Sequence, residues 1–319
     1  TAGQSLNIVY SDSTQGWLPV SDDAVVFDHG DPPTQKALFA FGFNDAYVSL
    51  KNLVNSSGVV AADVTGVGTA RSALAAASYG VDKALFAYGY TGSNVSLKNL
   101  VDNSGTVAAD VTGVGSARRN LAAAGYGGDK AIFGYGQTGS YVSITNLANS
   151  SGVIAADVSG VGTVRRNLAA AGYGVGLAIF AYGYLSGGGG YSSLSNLVNS
   201  SGVVAADVSG VGTARAFMAA ASYGTDKAIF AYGTSGSVVS LSNLVNSSGV
   251  VAADVSGVGT ARQNLAAASY GGDKALFGYG NGYSAITNLV NSSGVIAADV
   301  SGVGTARDML AAAGYSSVA

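Results

Sequence analysis

Short apolar runs recur along the chain, each closed by Gly, Ser, Asp or Asn. After Arg71, Leu74-Ala-Ala-Ala-Ser-Tyr79 is one such run, and Gly80-Val-Asp82 ends it. Lys83-Ala-Leu-Phe-Ala-Tyr88 follows, rich in aromatics and bounded by Gly89. Asn94 to Val101 alternates polar and apolar residues, the period-two signature of a half-buried strand. After the turn Asn103-Ser-Gly105, Thr106-Val-Ala-Ala-Asp-Val111 completes the pattern. Four short runs separated by turn residues predict four β-strands, named a, b, c and d in that order.

The same wording returns along the chain. The phrase around Val-Gly-Thr-Ala-Arg places Arg at 71, 118, 165, 215, 262 and 307, in steps of 47, 47, 50, 47 and 45 residues. Lys-Ala-(Leu/Ile)-Phe begins at 36, 83, 130, 177, 227 and 274, with Leu177 alone replacing the Lys. Six copies therefore cover residues 36 to 315. Four strands in a repeat of this length match one propeller blade; a β-helix coil is much shorter, and helical repeats lack these turns. The expected fold is all-β: a six-bladed β-propeller of four-stranded blades. Strand a, reading Leu-Ala-Ala-Ala, is expected innermost, because small residues let blades converge on an axis. Strands b, c and d of the first copy precede any a strand, and the sixth a strand, 310–315, has no b strand after it. Docking 310–315 against 36–64 closes the ring and removes two exposed edges. The rival closing strand, Ala24-Val-Val-Phe-Asp28, matches the repeat less well.

Residues 36–319 thus form the expected propeller, and 1–35 an N-terminal attachment segment. Ser5 to Tyr10 alternates, Ser11 to Gln15 reads as a turn and Gly16 to Val20 as a second strand, which predicts a β-hairpin. An isolated hairpin is marginal in water, so this one is expected to dock on the propeller or on another chain. A chain beginning at Thr1 is expected of a processed or excised piece.

Antiparallel pairing sorts the turns onto two faces. The a–b and c–d turns share one face and are nearly uniform, reading Gly-(Val/Gly/Thr)-Asp and Asn-Ser-Ser-Gly. The b–c loops and d–a connections share the other face and vary. The loops are Asn44-Asp-Ala46, Tyr90 to Asn94, Gln137 to Tyr141, Tyr184 to Tyr191, Thr234 to Val238 and Asn281 to Tyr283. The residues after the repeat Arg are Ser72, Arg119, Arg166, Ala216, Gln263 and Asp308. Binding residues concentrate on loops held by a rigid scaffold, and near-identical blades diverge where a ligand needs asymmetry. Tyr90, Asn94, Arg119, Gln137, Tyr141, Arg166, Tyr184, Tyr191, Asn281 and Tyr283 are the candidate ligand-binding residues. Tyr offers a flat apolar face with a hydroxyl, and amides match vicinal hydroxyls, so this set suits carbohydrate. The plainer alternative is a set of turn formers varying at random.

Composition narrows the chemistry. Charged residues make up 10% of the chain, against about 25% in ordinary domains. All 18 acids are Asp, there is no Cys, and His29 is the single His. Thiol chemistry and Cys-based zinc sites are excluded, and no metal or cofactor is expected. A Ser-His-Asp mechanism needs a His near the nucleophile, and His29 lies outside the repeat, so the chain is expected not to be an enzyme. A formal charge of −3 gives no footprint for nucleic acid. No apolar run approaches the roughly 18 residues of a membrane span, so no membrane insertion is expected. In every copy an Asp precedes the Arg by eight residues: Asp63/Arg71, Asp110/Arg118, Asp157/Arg165, Asp207/Arg215, Asp254/Arg262 and Asp299/Arg307. These are expected to be structural, each Arg bridging neighbouring strands or blades. The sequon in Asn-Ser-Ser-Gly, as at Asn55 and Asn199, reads as a polar turn whose Asn caps its own backbone.

The strand order, with an apolar strand after an Arg, an aromatic strand ending in Gly, an alternating strand and an outer strand, resembles kelch-type propellers in architecture, although the doubled Gly and downstream Trp of kelch are missing. Ser5-Leu-Asn-Ile-Val-Tyr-Ser-Asp-Ser-Thr-Gln-Gly-Trp-Leu-Pro19 is similar to a segment of structural proteins of marine and cyanobacterial phages. The repeat phrases Asp-Lys-Ala-Ile-Phe-Gly-Tyr-Gly, Gly-Val-Ile-Ala-Ala-Asp and Gly-Val-Gly-Thr-Ala-Arg resemble repeats of such virion proteins. The resemblance implies a tail-fibre or other virion-surface component, extracellular and often homo-oligomeric, whose N-terminal segment meets other virion proteins. The expected function is non-enzymatic recognition of a host-surface glycan through the b–c/d–a face, with host polysaccharide or protein as partner. The alternatives are a purely structural virion module (spacer or capsid decoration) without ligand, and a cellular protein-binding scaffold.

Overall fold

The computed structural model describes residues 8–12, 16–19 and 34–317. Chain contacts divide it into two units, Thr1–Pro33 and Thr34–Ala319. In the first, Ile8–Asp12 pairs antiparallel with Gly16–Pro19, with Tyr10 opposite Trp17. The rival closing strand at 24–28 lies outside the described residues.

The second unit is all-β among the described residues, built from antiparallel sheets in which strands a, b and c pair in order. Ala75–Tyr79, Lys83–Ala87 and Lys98–Val101 form one such sheet. Ala122–Tyr126, Lys130–Gly134 and Thr145–Ala148 form the next. Ala169–Tyr173, Leu177–Leu185 and Tyr191–Val198 follow, with the short strand Arg165–Arg166 added. Then come Ala219–Tyr223, Lys227–Ala231 and Ser242–Val245, and Ala266–Tyr270, Lys274–Gly280 and Ser284–Val290. The remaining sheet joins the ends of the repeat region: Ala311–Ser317 pairs with Thr34–Ala40, which pairs with Lys51–Val54.

Residue type sets each strand's place. Strand b carries Ala-Leu-Phe-Ala or its variants, and these four residues are buried on both faces as befits a central strand. Its residues pack into cores shared by consecutive sheets: Leu85 and Tyr88 share one with Phe133 and Ile154 of the following sheet, and Phe39 shares one with Leu276 and Tyr279. Strand a alternates small residues and meets the a strands of its neighbours. Ala311–Ser317 contacts both Ala266–Tyr270 and Ala75–Tyr79.

Two expectations about the strands are corrected. The outer d segment is not a fourth ladder strand, so the a–b–c sheets are three-stranded except the one that gains Arg165–Arg166. Val60 bridges Val54 and Val64 bridges Lys51; the c strand spans three steps between these points and the d segment four. The extra residue is a bulge that leaves the Ala61 carbonyl without a ladder donor. The Asn52 amide supplies it at 3.0 Å and also donates to Asp63 Oδ1 at 2.9 Å. Strand c is also shorter than the alternation predicts, four residues in most copies. At the end of strand b the aromatic residue takes a left-handed φ (Tyr88, 65°) and the following Gly another (Gly89, 113°). A Cβ on Gly89 would stand 2.8 Å from Ser72 O, so the position admits only Gly.

The repeat Arg holds this turn. Arg71 is fully buried. Its Nε donates to Tyr88 O at 3.0 Å, Nη2 to Asn99 Oδ1 at 2.6 Å and Nη1 to Thr69 O at 3.2 Å, while its guanidinium lies 4.1 Å from the centroid of the Phe41 ring in the preceding sheet. The carboxylate beside it at 3.7 Å is that of Asp110, not Asp63. Correspondingly, Arg118 meets Asp157, Arg165 meets Asp207, Arg215 meets Asp254, Arg262 meets Asp299 and Arg307 meets Asp63. The eight-residue spacing is therefore not the contact. The d–a connection carries each Arg over the following sheet, where the next copy's Asp waits on the d segment. The Asn of Asn-Ser-Ser-Gly accepts from its own loop, Asn55 Oδ1 taking the N–H groups of Ser57 and Val59, which is the expected polar turn.

Burial disfavours the charge on all six guanidiniums, and breaking a buried pair from one side costs about 3–5 kcal/mol. Arg165→Ala is expected to lower the melting temperature by many degrees in calorimetry. Unchanged melting would mean that the guanidinium holds nothing.

The six Asp carboxyls respond to acid. Desolvation pushes the Asp110 carboxyl up, but hydrogen bonds from the Thr69 hydroxyl, the Asn99 amide and the Thr69 N–H, with the Arg71 charge, outweigh it and hold it below its ordinary value. The other five behave alike. A lowered folded pKa contributes stability that is present above the unfolded value of about 3.9 and is lost as the pH falls through the folded value. Melting temperature should therefore be flat in this respect from pH 7 to 5 and fall steeply below pH 4. Asp110→Asn should be less stable at pH 7 and show a shallower acid slope.

Candidate functional site

Each chain segment leaving a repeat Arg enters strand a through a residue of left-handed φ: Ala73, Asn120, Asn167, Phe217, Asn264 and Met309, between 49° and 60°. Asn tolerates this region; Ala, Phe and Met occupy it at a cost of about 1–3 kcal/mol. Their backbones bond in sequence. Asn120 N–H donates to Ala73 O, Asn167 to Asn120, Phe217 to Asn167, Asn264 to Phe217, Met309 to Asn264 and Ala73 to Met309, at 2.8–2.9 Å.

The variable positions stand around this cycle of bonds. Ser72 bridges Tyr90, Arg119 bridges Gln137, Ala216 bridges Thr234 and Asp308 bridges Phe43. Arg166 pairs with Tyr184, and Asn281 N–H donates to Gln263 O. The residues after the repeat Arg thus adjoin the b–c loops directly.

On this face lies a cavity of about 360 Å³. Phe43, Tyr47 and Tyr90 contribute aromatic rings to its lining, and Arg119, Asn120, Arg166 and Asn167 polar groups. The rings pack on one another, Phe43 to Tyr47 at 5.4 Å and Tyr47 to Tyr90 at 6.1 Å, both edge to face. The Arg119 guanidinium lies 4.1 Å from the Tyr90 ring centroid. Arg166 lies 4.9 Å from the Tyr141 centroid, and its Nη1 donates to Gln137 Oε1 at 2.6 Å. The buried Nε of Arg166 and Oδ1 of Asn167 have no hydrogen-bond partner. Tyr groups supply flat apolar surface, and the guanidiniums are held in place by stacking.

Of the ten candidate residues, Tyr90, Arg119 and Arg166 line the cavity. Gln137 and Tyr141 position Arg166. Asn94 locks neighbouring loops, its Nδ2 donating to Gln137 O and Thr138 O at 3.3 and 2.6 Å. Tyr184 and Tyr191 pair with each other across a hairpin at 5.3 Å. Asn281 Oδ1 accepts the Gln263 N–H, and the Tyr283 hydroxyl donates to Asp45 Oδ1 at 3.0 Å. Sequence reasoning missed Phe43, Tyr47, Asn120, Asn167, Phe217 and Met309. The second residue after each repeat Arg also varies, and was the available signal for Asn120, Asn167, Phe217 and Met309. The opposite face holds cavities of about 190 and 230 Å³, lined mostly by Ser, Gly and Tyr.

Among the described residues no three metal-ligating side chains come together, and no helix is long and apolar enough to cross a membrane. No protein-family profile matches the chain, and no curated protein matches it.

Asp308, beside Phe43, has a buried Oδ1 without a partner, and burial raises its carboxyl to about 6. A raised folded pKa means stability that is present below the unfolded value and lost as the pH rises through the folded one. Asp308→Asn should therefore raise the melting temperature at pH 8 and leave it nearly unchanged at pH 4. An equal shift at both values would contradict the titration.

Proposed function

We propose that the repeat region is a six-bladed β-propeller closed by the C-terminal a strand, and that it serves as a non-enzymatic recognition module on a phage virion surface. The backbone cycle through Ala73 and Met309, the shared cores between consecutive sheets and the pairing of Ala311–Ser317 with Thr34–Ala40 support the ring. The phage-like wording of the repeat and of residues 5–19 supports the virion setting. The face formed by the b–c loops and d–a connections binds a host-surface glycan.

The observation that carries this reading is the cavity on the variable face, where the rings of Phe43, Tyr47 and Tyr90 stand beside guanidiniums and amides. Sugar rings present C–H faces that stack on aromatic surface and hydroxyls that match fixed donors and acceptors. The cavity lies within the volume range of small-ligand sites, about 300–1,000 Å³.

One observation favours a packing module instead. The outer segments repeat an exposed Val, as at Val59, Val153, Val203, Val250 and Val295. An apolar rim of this kind, interrupted only by Thr106, fits contact with other copies or virion components.

A glycan array decides between them. The purified chain should bind a subset of glycans, and Tyr90→Ala should weaken that binding by roughly tenfold or more, about 1.4 kcal/mol, without lowering the melting temperature comparably. Absence of any binding at millimolar ligand leaves the packing reading.

A further inference from the structure

The chain has eight Arg, and six belong to the repeat motif. Each of those six has an Asp within 4.0 Å. The other two are Arg119 and Arg166, and both line the same cavity. Among the described residues neither has a carboxylate within ion-pair distance, and the cavity lining contains no Asp. In a chain of formal charge −3 with 10% charged residues, two unpaired like charges brought to one cavity raise its potential and repel each other.

The local contacts hold both charges in place without neutralising them. Tyr90 carries the Arg119 guanidinium on its face, and Tyr141 carries that of Arg166. Gln137 occupies only Nη1 of Arg166, and the Nε lies buried with no acceptor. Buried donors in native structures are nearly always satisfied, and a guanidinium fork is matched in geometry by a carboxylate or a sulfate. Of the corresponding positions in the other four copies, Ser72, Ala216 and Gln263 are uncharged and Asp308 is acidic, so positive charge is confined to one side of the face.

We infer that this cavity selects an anionic saccharide, one carrying a carboxylate or a sulfate, with its acidic group at Arg119 and Arg166 and its ring against Phe43, Tyr47 and Tyr90. The inference rests on the reading of this face as a glycan-binding surface. The anion supplies the counter-charge that neither guanidinium has among the described residues, and the apolar rings beside them strengthen the pair.

The test is titration calorimetry of the full chain with matched probes: oligogalacturonate against its methyl ester, and dextran sulfate oligomers against dextran oligomers. At least one anionic probe should bind roughly tenfold or more tightly than its neutral partner, and the affinity should fall with added salt. The pair that shows the difference identifies the source of the anion. Arg119→Gln and the double variant Arg119→Gln/Arg166→Gln, checked for native folding by circular dichroism, should bring the anionic probe down to the level of the neutral one. The single variant leaves the Gln137–Arg166–Tyr141 packing untouched and serves if the double variant misfolds. Equal binding of charged and neutral partners, or full affinity in the folded variants, overturns the inference. If neutral glycans bind and Tyr90→Ala abolishes that binding while the Arg variants do not, the anionic selectivity falls and the glycan reading stands. If no glycan of either kind binds, both fall.

Discussion

A fully buried guanidinium must find a partner for each of its donors, and six of them in one chain dictate much of what surrounds them. Arg71 needs the Tyr88 carbonyl at its Nε, the Asn99 amide oxygen at Nη2 and the Thr69 carbonyl at Nη1. Presenting the Tyr88 carbonyl requires the left-handed turn at Tyr88 and Gly89, which ends strand b. Presenting Asn99 puts an amide in the c strand, and that amide in turn satisfies the bulged carbonyl of the d segment and the Asp110 carboxylate. The Asp accepts the N–H and hydroxyl of Thr69, so the segment that delivers the Arg is tied down by the same carboxylate that faces it. The ion pair itself is long, and the hydrogen bonds carry the geometry. Desolvating a guanidinium costs several kcal/mol, which a net of this kind offsets only when it is complete.

Because the stacking partner of each Arg belongs to the preceding sheet and its hydrogen-bond partners to the following one, the motif is also the joint between sheets. The joint depends on Thr or Ser, Arg, Asn, Asp and an aromatic residue at fixed places and on little else. The residues immediately after the Arg and those of the b–c loop lie beyond it. They are free to change from Ser72 and Tyr90 to Arg119 and Gln137 to Ala216 and Thr234 while the backbone bridge between them persists. A rigid joint with free positions next to it is the arrangement in which function accumulates on loops.

The strands a, b and c were legible because their apolar residues and Gly boundaries are local signals, and Lys83-Ala-Leu-Phe-Ala is buried as its composition predicts. The d segment was not. Thr106-Val-Ala-Ala-Asp-Val111 reads as a strand, but the Asn99 side chain competes for its backbone, and a side-chain competitor on the neighbouring strand leaves no periodic trace. The partner of each Arg was also hidden. Asp63 stands eight residues from Arg71 but bonds to Arg307 and Thr305, across almost the whole chain. Each Asp from Asp110 to Asp299 stands between two repeat Arg, a near one that follows and a distant one that precedes, and only the path of the d–a connection decides between them. At the candidate site the variable face was legible, whereas the contributions of Phe43 and Tyr47 depend on a three-dimensional neighbour, Tyr90, from the next copy.

A six-copy scaffold suggests six equivalent sites, yet the side chains argue for one. Aromatic rings at Phe43, Tyr47 and Tyr90 and charges at Arg119 and Arg166 converge on a single cavity, while Ala216, Thr234 and Val238 give the corresponding loops of a later copy no comparable groups. One site per chain, displayed on several copies of the chain, raises the effective concentration of the second binding event without any new contact. On the virion reading, then, the repeat serves rigidity and the assembly serves avidity, and the divergence of a few loop residues confines recognition to one side of an otherwise uniform scaffold.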